Sequence, residues 1–139
     1  MERRSLVPEL IASDFAASLN FYVLTLGFEV KYRRETPSFA YLEREGSQIM
    51  IEERHRHSWV LGELLHPFGR GLHLQIQCTD VAALRAKVAS AGINVYRELE
   101  DAWYQAGGTR VGQRQFVVPD PDGYLLRFCQ MLGERSRGG

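Results

Sequence analysis

The sequence predicts an α+β fold built from two tandem βαβββ modules. The first observation is an internal repeat, because the segment from Leu10 to Ser18 resembles the segment from Ile76 to Leu84 in its order of apolar and polar residues. The second is that a helical pattern, a glycine and three strand-like runs follow in each half. A repeated order of elements indicates a repeated supersecondary unit, so each module is expected to supply one strand, one helix and three further strands.

Each predicted helix has a capping side chain, an apolar face and a glycine stop. A side-chain oxygen at the start can accept from the free backbone N–H groups of the first turn. Apolar residues then recur on one face, and a glycine that tolerates the left-handed conformation ends the helix. The positions in the two helices are Ser13 or Asp14, Phe15, Leu19, Tyr22 and Gly27, then Thr79 or Asp80, Val81, Leu84, Val88 and Gly92.

Short apolar runs bounded by turn residues predict the remaining strands. They cover residues 28–34, 39–42 and 48–52 in the first half, and 95–99, 115–118 and 125–129 in the second. We expect a single domain over residues 1–139, with module 1 at about 6–53, a linker at 54–71, module 2 at about 72–130 and a tail at 131–139. The apolar residues of the linker indicate that it packs either over a cleft or as an ordinary docked loop.

Composition excludes several classes of protein. The chain has 139 residues, 45% of them hydrophobic, and 17 basic side chains balance 17 acidic ones. A disordered chain would be less hydrophobic, and a nucleic-acid binder usually has a basic surplus. Because no run reaches the length of a membrane span or a signal peptide, and Cys78 and Cys129 are expected to be buried thiols, we predict a cytoplasmic protein without nucleic-acid or membrane partners.

Two motifs resemble a known superfamily. The pattern Asp-x-x-x-Ser-x-x-Phe-Tyr-x-x-x-Leu-Gly-Phe at 14–28 and the turn Asp-Pro-Asp-Gly-Tyr at 120–124 are similar to the glyoxalase/bleomycin-resistance/extradiol-dioxygenase (vicinal oxygen chelate) superfamily. The resemblance covers about residues 6–130 and implies curved mixed sheets around a cleft for a small molecule. The stretches at 112–116 and 123–128 look closest to the bleomycin-resistance-type branch, whose members lack the metal and bind a drug in clefts shared between subunits.

The same resemblance implies where metal ligands would stand. In this chain those positions hold Val7, Met50, His73 and Arg127. A Zn²⁺, Fe²⁺ or Mn²⁺ ion needs at least three N, O or S donors, and Arg127 would add a permanent positive charge. Even if Glu52, two residues beyond Met50, joined His73, there would be only two ligands. We therefore expect no metal and no cofactor.

Ten residues are candidates for binding a ligand. Their side chains are aromatic or polar and fall on shared strand faces or in polar loops, as expected of a small-molecule pocket, although Phe39, Tyr41 and His73 would also suit a structural role. A loop at 101–110 is expected to form a mobile flap that carries Trp103 and Tyr104 beside carboxylates, which suits a planar or cationic ligand. The side chain of Arg127 either holds an anionic group or pairs with Glu52. The candidates are Phe39, Tyr41, Glu52, Trp59, His73, Gln75, Trp103, Tyr104, Gln115 and Arg127.

The leading hypothesis is a homodimeric binding protein that sequesters an antibiotic-like small molecule without altering it. No catalytic residue is assigned. One alternative is a metal-dependent lyase or dioxygenase of the same superfamily with non-standard ligands, and another is a metal-free catalyst that uses His73 as general base. Val111 stands where the branch often has a tryptophan, and the chain is neutral where the branch is often acidic. Bleomycin itself is therefore expected to suit this protein less well than it suits the drug-binding members of that branch.

Overall fold

The computed structural model describes residues 1–136 and consists of two compact units. The first comprises residues 1–71 with 120–124, and the second comprises residues 72–119 with the chain from 125 onward. Residues 137–139 of the predicted tail lie outside the described residues. The elements are β1 (Glu9–Ala12), α1 (Phe15–Asn20), β2 (Glu29–Arg34), β3 (Phe39–Arg44), β4 (Ser47–Glu53), β5 (His73–Gln77), α2 (Val81–Ser90), β6 (Arg97–Ala106), β7 (Thr109–Pro119) and β8 (Leu125–Ser136).

Each unit contains one four-stranded mixed sheet. The strand order is β1-β4-β3-β2 in the first sheet and β5-β8-β7-β6 in the second. In both sheets the first strand of the module pairs in parallel with the last, and the other pairs are antiparallel. The predicted α+β fold of two βαβββ modules is therefore confirmed.

The helices begin at the aspartates of the repeat. The carboxylates of Asp14 and Asp80 accept hydrogen bonds from the backbone N–H groups three residues on, at 3.1 Å and 3.0 Å. Of the two alternatives at each start, the aspartate is the cap, because its oxygen satisfies an N–H that the first turn leaves unpaired. Helix α1 continues as a π-helical turn over Phe21–Thr25. Gly27 and Gly92 then take positive φ angles of 82° and 72°, as the sequence predicts.

A buried carboxylate organises the segment 120–124 within the first unit. The Tyr22 hydroxyl donates to Asp120 Oδ2 at 2.8 Å, and the backbone N–H groups of Asp122 and Tyr124 both donate to Oδ1 at 2.9 Å. Burial raises the pKa of Asp120, and burial together with the Asp120 charge raises the pKa of Tyr22. These bonds fix the turn, because a buried carboxylate requires partners.

The prediction of a mobile loop at 101–110 is wrong. Residues 97–119 form one long antiparallel hairpin, β6 and β7, in which only Gly107 and Gly108 make the turn. Strand β6 lies at the edge of its sheet, where charged and polar side chains are tolerated because they discourage pairing with other chains. Its polar composition therefore resembles that of a loop although the backbone is a strand.

The linker at 54–71 carries exposed apolar side chains within the first unit. Trp59 is 98% exposed, Leu61 is fully exposed and Leu65 is 59% exposed. No helix or strand is assigned to this segment. Across residues 1–136, no helix combines the length and apolar character needed to cross a membrane.

Candidate functional site

A cavity lies on one face of the second sheet, and we call it the second-unit cavity. It has a volume of about 310 Å³. Its walls come from alternate residues of the strands and from the segment that leads into β6, because side chains on one face of a strand are two residues apart. The lining residues are His73, Tyr96, Arg97, Glu100, Tyr104, Gln115, Val117, Leu125 and Arg127.

Arg127 is fixed in this cavity by two neighbours. Its Nε and Nη2 both donate to Gln115 Oε1, at 3.0 Å and 2.8 Å. Its guanidinium carbon also lies 5.3 Å from the centroid of the Tyr104 ring, within cation–π range. The side chain of Arg127 is therefore oriented by polar and aromatic contacts rather than by an ion pair.

Gln115 connects the polar groups of the cavity. Its amide nitrogen donates to the Tyr104 hydroxyl at 2.6 Å and to Glu100 at 3.3 Å, while its oxygen also accepts from Gln113 at 3.1 Å. The residue is only 5% exposed. Because every polar atom of this amide is engaged, the network fixes which end faces Arg127.

The acidic residues of β6 differ in their surroundings. Glu98 forms a bidentate pair with Arg85, at 2.6 Å and 2.9 Å, and this partner lowers the pKa of Glu98 to about 2. Asp101 forms a bidentate pair with Arg114, at 2.8 Å and 3.1 Å, which also lowers its pKa. Glu100 is the acidic residue of this strand that lines the cavity.

Trp103 and Tyr104 lie on opposite faces of the sheet. Tyr104 lines the cavity, whereas Trp103 packs over Gly112 of the neighbouring strand and is covered by Arg135, whose guanidinium carbon is 3.7 Å from the ring centroid. Alternation along β6 causes this separation, because neighbouring residues of a strand point in opposite directions. The prediction placed both rings in one loop, so it could not apply this rule.

The strand register agrees with the equivalence that the resemblance implies for the four metal-ligand positions. Met50 is the parallel partner of Glu9, and Arg127 is the parallel partner of Gln75, two residues after the start position in each module. The equivalent positions hold Val7, Met50, His73 and Arg127. This donor set does not fit a divalent ion, since only one member is a usual ligand. Among residues 1–136, no three His, Cys, Asp or Glu side chains are grouped so as to hold a metal.

His73 and Gln75 share a face of β5, as predicted, and both are exposed. His73 is the first residue of the strand and borders the cavity, whereas Gln75 is not among the lining residues. Four predicted site residues are thus brought together in the second unit. They are His73, Tyr104, Gln115 and Arg127.

The first unit has a separate groove of about 520 Å³, which we call the first-unit groove. Glu52 and Trp59 border it, and the Glu52 carboxylate lies 2.9 Å from Nε2 of His55. Burial and the nearby Glu52 charge raise the pKa of Glu9, which also lines the groove. Glu52 and Arg127, which the sequence left as a possible pair, belong to different units, and each has partners in its own unit.

Phe39 and Tyr41 share a face of β3 but are buried rather than open. They are 2% and 1% exposed. The Arg34 guanidinium lies 4.0 Å from the Phe39 ring centroid, and the Tyr41 hydroxyl donates to Gln48 at 2.6 Å. These contacts support the structural alternative for both rings.

Five residues of the second-unit cavity were not among the predicted site residues. Glu100 lies one residue beyond the predicted strand at 95–99 and is the partner of Gln115 across the hairpin, whereas the other four lie within predicted strands but were not chosen as site residues. Alternation from Gln115 within its own predicted strand would have found Val117, whereas Glu100 depends on the register of the hairpin. The five are Tyr96, Arg97, Glu100, Val117 and Leu125.

Several proteins of known structure are similar to this chain. A superfamily member from Vibrio splendidus 12B01 is 38% identical, with 89% of this chain and 95% of that chain covered and a TM-score of 0.43. TioX from Micromonospora sp. ML1 is 21% identical, with 94% and 100% covered and a TM-score of 0.72. The virulence protein STM3117 from Salmonella typhimurium is 18% identical, with 94% and 98% covered and a TM-score of 0.65.

The family model gives the identification. A search of the curated proteins finds no match to the chain. The model described as Glyoxalase/Bleomycin resistance protein/Dioxygenase superfamily matches residues 6–128, which is most of the chain. Together with the two βαβββ modules, this match shows that the chain belongs to the glyoxalase/bleomycin resistance protein/dioxygenase superfamily.

Proposed function

We propose that this protein binds an antibiotic-like small molecule in the second-unit cavity and sequesters it unaltered, without a metal ion. The observation that carries the proposal is the position of Arg127. It lies in the cavity at a position equivalent to a metal ligand of the family's metalloenzymes, and it is already fixed there by Gln115 and Tyr104.

The charge of Arg127 argues against a divalent cation at this site. A guanidinium is protonated at any physiological pH, so its repulsion of a cation is not relieved by losing a proton. Val7 offers no donor at all, and the thioether of Met50 is a soft ligand that suits neither Mn²⁺ nor Fe²⁺. His73 is the one usual ligand that remains, and a single ligand is too few to retain a metal ion.

The groups that line the second-unit cavity favour ligand binding over catalysis. The cavity combines the aliphatic side chains of Val117 and Leu125 and two tyrosine rings with oriented polar groups, and its volume is near the lower end of the range for ligand pockets. Among residues 1–136, no hydrogen bond orients the His73 imidazole, whereas a catalytic base is normally held by a second group.

The proposal includes a homodimer in the cytoplasm. The linker exposes Trp59, Leu61 and Leu65 to solvent, and large exposed apolar groups are usually covered by a partner. Each sheet also leaves edge strands open to pairing, which closed two-fold assemblies commonly protect. The buried thiols of Cys78 and Cys129 are compatible with a reducing compartment.

The test is a thermal-shift screen of purified protein against antibiotics, including bleomycin, and aromatic metabolites. A ligand that binds only the native state raises the melting temperature. The proposal expects at least one compound to do so, to lose this effect in Arg127→Met, and to keep it in the control Arg135→Met, whose side chain lies over Trp103. Mass spectrometry must then recover the compound unchanged.

Two results would contradict the proposal. If the compound is converted to a product and conversion stops in His73→Ala, the metal-free catalyst is correct. If binding or conversion instead needs added Zn²⁺, Fe²⁺ or Mn²⁺, the metal-dependent alternative is correct.

A further inference from the structure

The second-unit cavity has an uncompensated positive charge. Two arginines line it, but its wall includes only one carboxylate, Glu100. Glu100 Oε1 lies 3.4 Å from Arg97 Nη2, so this acid is already associated with one of the two cations. Among residues 1–136, no carboxylate lies within ion-pair distance of Arg127. The charge that remains for a ligand to meet is therefore that of Arg127.

The other acidic groups of β6 do not offset this charge. Glu98 and Asp101 are each engaged in a bidentate pair with an arginine, and neither lines the cavity. The expectation of a cationic ligand rested on carboxylates beside Tyr104. Since two of those three carboxylates are paired elsewhere, the structure removes the support for a cation.

Arg127 is prepared to bind an anion. Its contacts with Gln115 occupy only one side of the guanidinium, because Nε and Nη2 donate to a single oxygen. A guanidinium has five N–H groups, so Nη1 and the second hydrogen of Nη2 remain for another acceptor. Tyr104 restricts the orientation of the plane, which lowers the entropic cost of forming a bidentate contact.

We propose that the ligand of the second-unit cavity is a small planar carboxylate whose anionic group is bound by Arg127. The apolar side chains of Val117 and Leu125 and the ring of Tyr104 would contact the rest of the molecule. A volume of about 310 Å³ suits a ligand with one substituted ring rather than a large glycopeptide. This inference rests on the proposed function, since it names the ligand class of the same cavity.

Three probes with the same ring and different charges test the inference. Benzoate, benzamide and benzamidine carry charges of about −1, 0 and +1 at neutral pH and differ little in shape. Each is titrated into ¹⁵N-labelled protein, and dissociation constants are taken from chemical-shift changes. Benzoate is expected to bind about tenfold more tightly than benzamide, because a hydrogen bond to a charged group exceeds a neutral one by roughly that factor. Benzamidine is expected to bind most weakly.

Variants assign the preference to Arg127. Arg127→Met should bring the benzoate and benzamide constants together, while the control Arg135→Met should keep the wild-type ratio. If Arg127→Met does not fold, the salt dependence of the wild-type protein replaces it. Raising the ionic strength should then weaken benzoate binding and leave benzamide binding unchanged.

The outcomes separate this inference from the proposed function. Equal or tighter binding of benzamide or benzamidine overturns the carboxylate assignment, as does an unchanged preference in Arg127→Met or no benzoate binding at all. In each of these cases, a compound from the antibiotic screen that binds and is recovered unchanged would still support the proposed sequestration. Conversion of that compound would overturn sequestration while benzoate binding still supported the carboxylate assignment.

Discussion

Substituting Gly112 tests where the structure places Trp103. A Cβ atom added to Gly112 would lie 2.7 Å from two atoms of the Trp103 indole and 2.8 Å from a third. Carbon atoms in normal contact are about 3.5–4.0 Å apart, so the indole must move by about 1 Å. The Arg135 guanidinium on the ring limits this movement. Gly112→Ala is therefore expected to destabilise the protein by about 1–3 kcal/mol, as overpacking does.

The free energy of unfolding is measured by urea denaturation, followed by far-UV circular dichroism. Gly108→Ala is the matched control, because it lies in the same hairpin and a Cβ atom there has no neighbour within 4 Å. The control should stay within about 0.5 kcal/mol of the wild-type protein.

A double-mutant cycle assigns the cost to the indole. In a Trp103→Ala background, Gly112→Ala should cost less than about 0.5 kcal/mol, because the group that it meets is gone. If Gly112→Ala is as stable as Gly108→Ala, or costs the same with and without Trp103, then Trp103 does not pack on this face of the hairpin. The flap predicted from sequence would again be the better description.

Four further predictions follow from the buried carboxylate and the proposals. Tyr22→Phe should cost about 1–3 kcal/mol of unfolding free energy in urea denaturation, because Asp120 loses a buried donor. Because the pKa of Asp120 is raised in the folded state, the contribution of Asp120 to the free energy of unfolding is greatest at low pH. This contribution is lost as the pH rises through the raised pKa. Wild type should therefore gain stability relative to Asp120→Asn when urea denaturation is repeated at decreasing pH, and a relative loss would refute the assignment. Sedimentation should give twice the chain mass at micromolar concentration, and a monomer would contradict the dimer. Elemental analysis should find no stoichiometric zinc, iron or manganese, whereas one ion per chain that disappears in His73→Ala would contradict the metal-free site.

The fold could be predicted because its signals are local and occur twice. The aspartate caps, the glycine stops and the order of the strands depend on neighbouring residues, and each is found in both modules. The edge strand β6 was too short in the prediction because its charged residues lower strand propensity, while pairing with β7 decides its conformation. That pairing includes residues as far apart in the sequence as Arg97 and Val117.

The site could be predicted only in part for the same reason. His73 and Arg127 were singled out because the family resemblance implies metal-ligand positions there, and Gln115 was placed on a strand opposite; the structure brings all three to one cavity. The partners of Glu98 and Asp101 could not be predicted, because Arg85 and Arg114 approach them only after the sheet has formed. The charge of the cavity therefore became evident only from the structure.

Small molecules are expected to bind at Arg127 in the second-unit cavity, and side-chain NMR observes this binding residue by residue. The tightest compound from the thermal-shift screen is titrated into ¹⁵N-labelled protein while the Arg127 Nε–H, the Gln115 amide and the Trp103 indole N–H are observed. We expect saturable shifts of the Arg127 and Gln115 signals and an unchanged Trp103 signal, because Trp103 lies on the opposite face of the sheet. A shift of the Trp103 indole with no change at Arg127 would contradict binding at Arg127.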